Sequence, residues 1–181
     1  MQNGDILFKR KATEHSLSLS PGRRVYLSLG SNIGVREANL RDAKSRLGAV
    51  GQVLAMSSFY ETEPVEVIEQ PWFLNCAVKL ETAQTPQQLM KSILQIERDM
   101  GRRRVQKKGP RAIDIDMLLF NGEVIESDEL TLPHPAMYRR RFVLEPLAEI
   151  APDALHPILL KTIQQLLDEL PAGQAVRKQK P

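Results

Sequence analysis

The stretch Ala112-Ile113-Asp114-Ile115-Asp116-Met117-Leu118-Leu119-Phe120, followed by Asn121-Gly122, reads as a β-strand that ends in a tight turn. Side chains alternate across a sheet, so Ile113, Ile115 and Met117 share one face and can pack on a helix. Asp114 and Asp116 share the other. This is the fourth strand of a series. Residues 24–29 form a β-like run stopped by Gly30-Ser31-Asn32, after which Leu40, Ala43 and Leu47 recur at helical spacing as far as Gly48 and Gly51. Residues 53–60 and 73–80 read as the second and third strands. Thr85-Pro86-Gln87-Gln88 then opens a helix: Thr85 can cap, Pro86 suits the first turn and Gln88 completes a capping box. Leu89, Ile93, Ile96 and Met100 carry it to Gly101. The resulting order β-α-β-β-α-β over residues 24–120 predicts an α+β, ferredoxin-like sandwich. C-terminal additions follow: a hairpin from Asn121-Gly122 into Glu123-Val124-Ile125, a short helix over 137–141 and an amphipathic helix over 162–170.

At 181 residues the chain suits one compact domain, and 42% hydrophobic with 26% charged residues is an ordinary globular composition. The expected organisation is a flexible N-terminal extension over 1–23, a single domain over 24–175 and a C-terminal tail over 176–181. One cysteine, Cys76, allows no intramolecular disulfide and suits a reducing cytoplasm. No apolar run approaches the roughly 20 residues that span a bilayer, and residues 1–22 lack the apolar core of a signal peptide. The net charge of +3 is unevenly placed. Arg102, Arg103, Arg104, Lys107, Lys108 and Arg111 crowd one loop, and subtracting these six leaves −3 for the rest of the chain. A general nucleic-acid face would spread its basic residues more widely.

Two carboxylates held side by side on a strand repel unless a cation compensates them, and a hard divalent ion does so well. An isolated Asp-x-Asp is more often a solvated strand face. Here, however, the pair follows Gly109-Pro110-Arg111 at the end of the basic loop. Carboxylates beside guanidinium groups suit a magnesium–polyphosphate complex, in which metal takes some oxygens and arginine forks take others. The alternatives for the loop are a solvated charge run or a nucleic-acid patch. No Gly-rich loop followed by Lys-Ser/Thr is present, which argues against a P-loop kinase.

Four ordered blocks carry a resemblance. They are Leu29-Gly30-Ser31-Asn32; Ser57-Ser58-Phe59-Tyr60-Glu61-Thr62 with Gln70-Pro71-Trp72-Phe73-Leu74-Asn75; Ile96-Glu97 through Gly101-Arg102 to Gly109-Pro110-Arg111-Ala112-Ile113-Asp114-Ile115-Asp116; and Leu132-Pro133-His134-Pro135 through Arg139-Arg140-Arg141-Phe142-Val143-Leu144. Over about residues 24–160 the chain resembles the 6-hydroxymethyl-7,8-dihydropterin pyrophosphokinases of folate biosynthesis. The resemblance implies a monomeric cytoplasmic enzyme that moves pyrophosphate from ATP to the pterin's hydroxymethyl oxygen and releases AMP. It implies that Asp114 and Asp116 hold two Mg²⁺ ions, and that Arg102 and Arg111 serve catalysis while contacting phosphates. It further implies ATP contacts from Glu97, Arg104, His134 and Arg140. The pterin would stack on Phe73 and Phe142, meet Asn75 along its edge and touch the segment of Thr62, Pro64 and Val65.

Taken one at a time, either phenylalanine fits ordinary core packing, Asn75 a structural hydrogen bond and His134 a loop position. Two departures from the family pattern stand out: Lys108 where some members have tryptophan, and Glu66 where a glycine is usual. Two other functions compete. A nucleotidyl transferase or cyclase could use the same aspartates, without needing the Phe73, Asn75 and Phe142 pocket. An RNA-binding module would need exposed aromatics on central strands, whereas aromatic residues total 5% here.

Overall fold

The computed structural model describes residues 22–64, 70–102, 109–171, 173 and 175–180. The chain runs β1 (Arg23–Ser31), α1 (Arg36–Leu47), β2 (Gln52–Met56), β3 (Tyr60–Thr62), β4 (Phe73–Thr82), α2 (Pro86–Asp99) and β5 (Asp114–Phe120). It continues through β6 (Ile125–Glu126), β7 (Thr131–Leu132), a 3-10 turn (Met137–Arg139), α3 (Arg141–Ile150), β8 (Leu155–His156), β9 (Lys161–Thr162), α4 (Ile163–Asp168) and β10 (Val176–Lys178). This is a mixed α/β fold. The main sheet is antiparallel in the order β10-β3-β4-β1-β5, with β2 also paired to β4.

The two faces of the sheet are covered differently, as the strand alternation requires. One face sends Leu27, Leu29, Leu74, Val78, Ile115 and Met117 into a core with Leu40 and Leu47 of α1 and Leu89 and Ile93 of α2. Cys76 belongs to this layer, opposite Leu29, and burial pushes its thiol up to about 12. The other face is apolar only at one end. There Ala77 and Leu118 pack under Val143, Leu144 and Leu147 of α3 and Ile163 and Leu166 of α4. Its remaining end stays polar and uncovered by helix, and this is where the site forms.

Local signals operate as the residue types dictate. Thr85 accepts from the Gln88 amide at 3.3 Å while Gln88 returns a bond to Thr85, and Thr162 with Gln165 repeats the device at α4. Several sequence expectations are corrected. β1 does not stop before Gly30: it continues to Ser31, because Gly30 and Ser31 pair with Asn75 and Leu74. The second strand is interrupted between β2 and β3, where Ser57 turns both its amide and its hydroxyl to the Ala77 main chain. Asn121-Gly122 does form a tight turn, with φ of 48° and 75°, but no hairpin partner for β5 follows. Instead β6 pairs with β7 in a separate small ribbon. Residues 176–178 are not a tail. They form β10 along the free edge of β3, and Arg23, assigned to the N-terminal extension, already pairs with Thr82.

The short helix expected over 137–141 is the 3-10 turn Met137–Arg139, and α3, which follows it, was not anticipated. Pro146 sits inside α3 and withholds one amide, which argues against a helix from sequence alone. Burial of Val143, Leu144 and Leu147 against the sheet offsets that loss. The suggested short strand at 16–19 lies outside the described residues.

Candidate active site

Sheet register assembles the site row by row. On β5, Asp114 and Asp116 stand opposite Gly30 and Ser28 of β1; Gly30 stands opposite Asn75 of β4, and Asn75 opposite Tyr60 of β3. Phe73 lies opposite Thr62. The polar end of the sheet is therefore a floor with two carboxylates at one edge and a carboxamide, an aromatic ring and a threonine at the other. Arg140 and Phe142, at the entry to α3, rise as a wall. A cleft of about 670 Å³, partly open to solvent, lies between them.

Gly30 is what allows the floor to close. A Cβ there would sit 2.7 Å from Asn75 Oδ1, so a side chain on Gly30 would displace the carboxamide. Asn75 Nδ2 donates to Thr62 Oγ1 at 2.6 Å, which fixes its orientation and leaves its oxygen over Gly30. Both residues are buried, so this bond is part of the scaffold.

The carboxylate edge is a charge network. Arg102 Nη1 lies 2.7 Å from Asp114 Oδ1 and also contacts the Glu97 carboxylate, while Arg111 Nε approaches Asp114 Oδ2 at 3.3 Å. Glu97 is buried and spends the same oxygen on the Ile115 amide at 2.8 Å. Burial pushes its carboxyl up, against the opposing pull of the Ile115 amide and Arg102. Burial, reinforced by the neighbouring Asp114 charge, also raises Asp116; His134, Arg140 and Arg111 pull the other way. His134 is itself shifted down by burial, and its Nδ1 accepts the Ala136 amide at 3.2 Å. The Arg111 and Arg140 guanidinium groups stand 5.5 and 5.7 Å from the ring centroids of Phe73 and Phe142 respectively.

These features define what the site can hold. Among the described residues no three His, Cys, Asp or Glu side chains gather into a metal cage. Two hard carboxylates at alternate strand positions instead leave most of a coordination shell to other oxygens, a pattern that fits Mg²⁺ shared with phosphates and water. Arg111 Nε is buried and, among the described residues, lacks a hydrogen-bond partner despite its approach to Asp114. An anion in the cleft would satisfy it.

Thr62, Pro64, Phe73, Asn75, Arg111, Asp114, Asp116, Arg140 and Phe142 are thus brought to one cleft. Glu97 and Arg102 adjoin it through Asp114, and His134 through its electrostatic contact with Asp116. Val65, Arg104, Glu66 and Lys108 lie outside the described residues. Sequence reading missed Ser28, Gly30 and Gln70 as lining residues. The glycine within a β-run was the available signal for Gly30. It also missed Asn32, a buried side chain that accepts from the Arg111 amide at 2.7 Å and donates to Gln70 at 3.1 Å. Asn32 ties the segment before the carboxylates to the loop before Phe73.

A family model described as 7,8-dihydro-6-hydroxymethylpterin-pyrophosphokinase (HPPK) matches residues 26–152. The chain is 50% identical over 127 residues to a Bacillus subtilis 2-amino-4-hydroxy-6-hydroxymethyldihydropteridine pyrophosphokinase, covering 69% of this chain and 76% of that one. It is 44% identical over 149 residues to the Dictyostelium discoideum folic acid synthesis protein FOL1, covering 82% of this chain. The chain spans about a quarter of the length of that relative and of its Schizosaccharomyces pombe counterpart, 23% and 22%. Among solved structures, a Plasmodium falciparum HPPK-DHPS superposes with a TM-score of 0.67 at 17% identity, covering 84% of this chain and 46% of that one.

Proposed function

The chain belongs to the 7,8-dihydro-6-hydroxymethylpterin-pyrophosphokinase family, and on that premise we propose that it transfers pyrophosphate from ATP to the hydroxymethyl group of 6-hydroxymethyl-7,8-dihydropterin and releases AMP. The observation that carries this reading is a single cleft in which a carboxylate–arginine edge adjoins an Asn75, Phe73 and Phe142 pocket. A polyphosphate suits the first half and a flat polar heterocycle the second. The central strand order, with β2 and β3 taken together as one interrupted strand, supports the ferredoxin-like description. The lone buried Cys76 suits a cytoplasmic setting. A nucleotidyl transferase or cyclase would share the carboxylates but gives the aromatic pocket no task.

In the proposed reaction the hydroxymethyl oxygen bonds to the β-phosphorus. The bond from that phosphorus to the α–β bridging oxygen breaks, AMP leaves with that oxygen, and the hydroxyl proton passes to solvent. Asp114 and Asp116 would hold Mg²⁺, which neutralises phosphate charge when bound. Arg111 and Arg140 would grip phosphate oxygens, and Arg102 would steady the departing AMP side. Their positions beside Phe73 and Phe142 keep the two substrates in one frame, so catalysis here is chiefly orientation and charge.

The test is to supply ATP, Mg²⁺ and 6-hydroxymethyl-7,8-dihydropterin and to follow nucleotide products. AMP that appears only with the pterin is expected. ADP, or AMP without pterin, would overturn the assignment. A Gly30→Ala variant probes the pocket half separately. Its methyl group displaces Asn75, so pterin KM should rise by roughly tenfold, equivalent to one misplaced hydrogen-bonding group. ATP KM should stay within about twofold. Equal rises in both would mean that Asn75 does not read the heterocycle.

A further inference from the structure

Strand β10 contributes no residue to either apolar core, yet each of its attachments falls on a segment that carries a wall of the cleft. Its main chain pairs with β3, Val176 opposite Thr62. The Glu63 amide donates to the Ala175 carbonyl at 3.3 Å, and the Gln179 amide to the Phe59 carbonyl at 2.8 Å. Arg177 lies 5.0 Å from the ring centroid of Trp72, the residue before Phe73. Lys178 Nζ reaches Glu149 Oε1 of α3 at 3.3 Å, on the helix whose second residue is Phe142. Glu149 in turn accepts from Tyr60 OH at 2.7 Å and Ser58 Oγ at 2.8 Å, which fastens α3 to the start of β3. Because successive strand side chains point to opposite faces, Arg177 and Lys178 grip the sheet from both sides.

We infer that β10 is a positioning element of the heterocycle pocket, setting the spacing of Thr62, Phe73 and Phe142 and hence the affinity for the pterin. The inference rests on the proposed function. It predicts a one-sided effect, because β10 and β5 occupy opposite edges of the sheet and the carboxylates belong to β5. Loss of the β10 contacts should weaken pterin binding and leave the ATP half in place.

The experiment compares the parent chain with Arg177→Ala/Lys178→Ala, and with a chain that ends at residue 171. Trp72 is the only tryptophan, so its emission reports directly on the Arg177 contact. In the double variant the emission should shift and pterin KM should rise about fivefold, the combined loss of the Arg177–Trp72 and Lys178–Tyr60 cation–π contacts and one surface ion pair. ATP KM and kcat should stay within about twofold, and the truncated chain should show the same asymmetry more strongly. An unchanged pterin KM, or equal rises in both KM values, would overturn the role of β10. A parent chain that binds no pterin overturns both this inference and the function it rests on. If the parent binds pterin and the variants bind it equally well, only β10 loses its role.

Discussion

Asp116→Ala should reduce pterin-dependent AMP formation by about a thousandfold or more, as should Asp114→Ala, while the two variants differ in stability. Under the proposed function the losses in activity have one cause: each variant removes a hard oxygen donor from the carboxylate edge of the cleft. The stabilities part because the partners differ. Asp114 is contacted by Arg102 at 2.7 Å and by Arg111 at 3.3 Å, so its removal leaves two guanidinium groups facing one another. Asp116 is a half-buried carboxyl held above its ordinary range by desolvation and by the Asp114 charge. Its neutralisation relieves repulsion, so Asp116→Asn should match or exceed the parent in Tm. Asp114→Asn should fall by about 1 kcal/mol. Product analysis with a denaturation curve for each variant checks both halves. A double variant retaining more than a tenth of parental activity would remove the carboxylates from the mechanism.

The second large effect concerns stability. Glu97→Ala should cost about 3–5 kcal/mol, because it strips a buried carboxylate from a buried amide and a largely buried guanidinium. The Ile115 amide would lose its 2.8 Å acceptor, and Arg102 would keep only Asp114. Glu97→Gln keeps an acceptor oxygen for Ile115 and should cost about half as much. For a chain of this size the alanine variant should melt roughly 10 °C lower. Urea denaturation of the three proteins decides the matter; an alanine variant within about 1 kcal/mol of the parent would show the Glu97 contacts to be dispensable. Glu97 thus stands behind Arg102, binding its guanidinium and the Ile115 amide with one oxygen.

What could be read in advance was whatever depends on neighbours in sequence. The alternation in Ile113-Asp114-Ile115-Asp116 fixed which face each side chain takes, and the Thr85–Gln88 box needed only three residues of context. Sites split among distant segments were legible only through the ordered motif blocks, which brought Thr62, Asn75, Asp114 and Phe142 together as a set. Contacts with no local pattern stayed hidden. Asn32 meets Arg111 across 79 positions, and Tyr60 meets Glu149 across 89. Neither residue type at those positions announces its partner. β10 was missed because three residues amid polar sequence carry no periodicity; pairing with β3 alone makes them a strand. Gly30 misled in the other direction: glycine usually weakens a strand, but here it admits the Asn75 carboxamide.

The buried Cys76 has a practical consequence for watching the protein at work. Alkylation proceeds through the thiolate, and a thiol sealed in the core with its ionisation driven up to about 12 offers almost none at neutral pH. A cysteine introduced on an exposed helical position such as Lys91 would therefore be the one group that a maleimide dye modifies in the native chain. The native residue can remain in place, and a reporter can be attached in a single coupling without repacking the layer beneath the sheet.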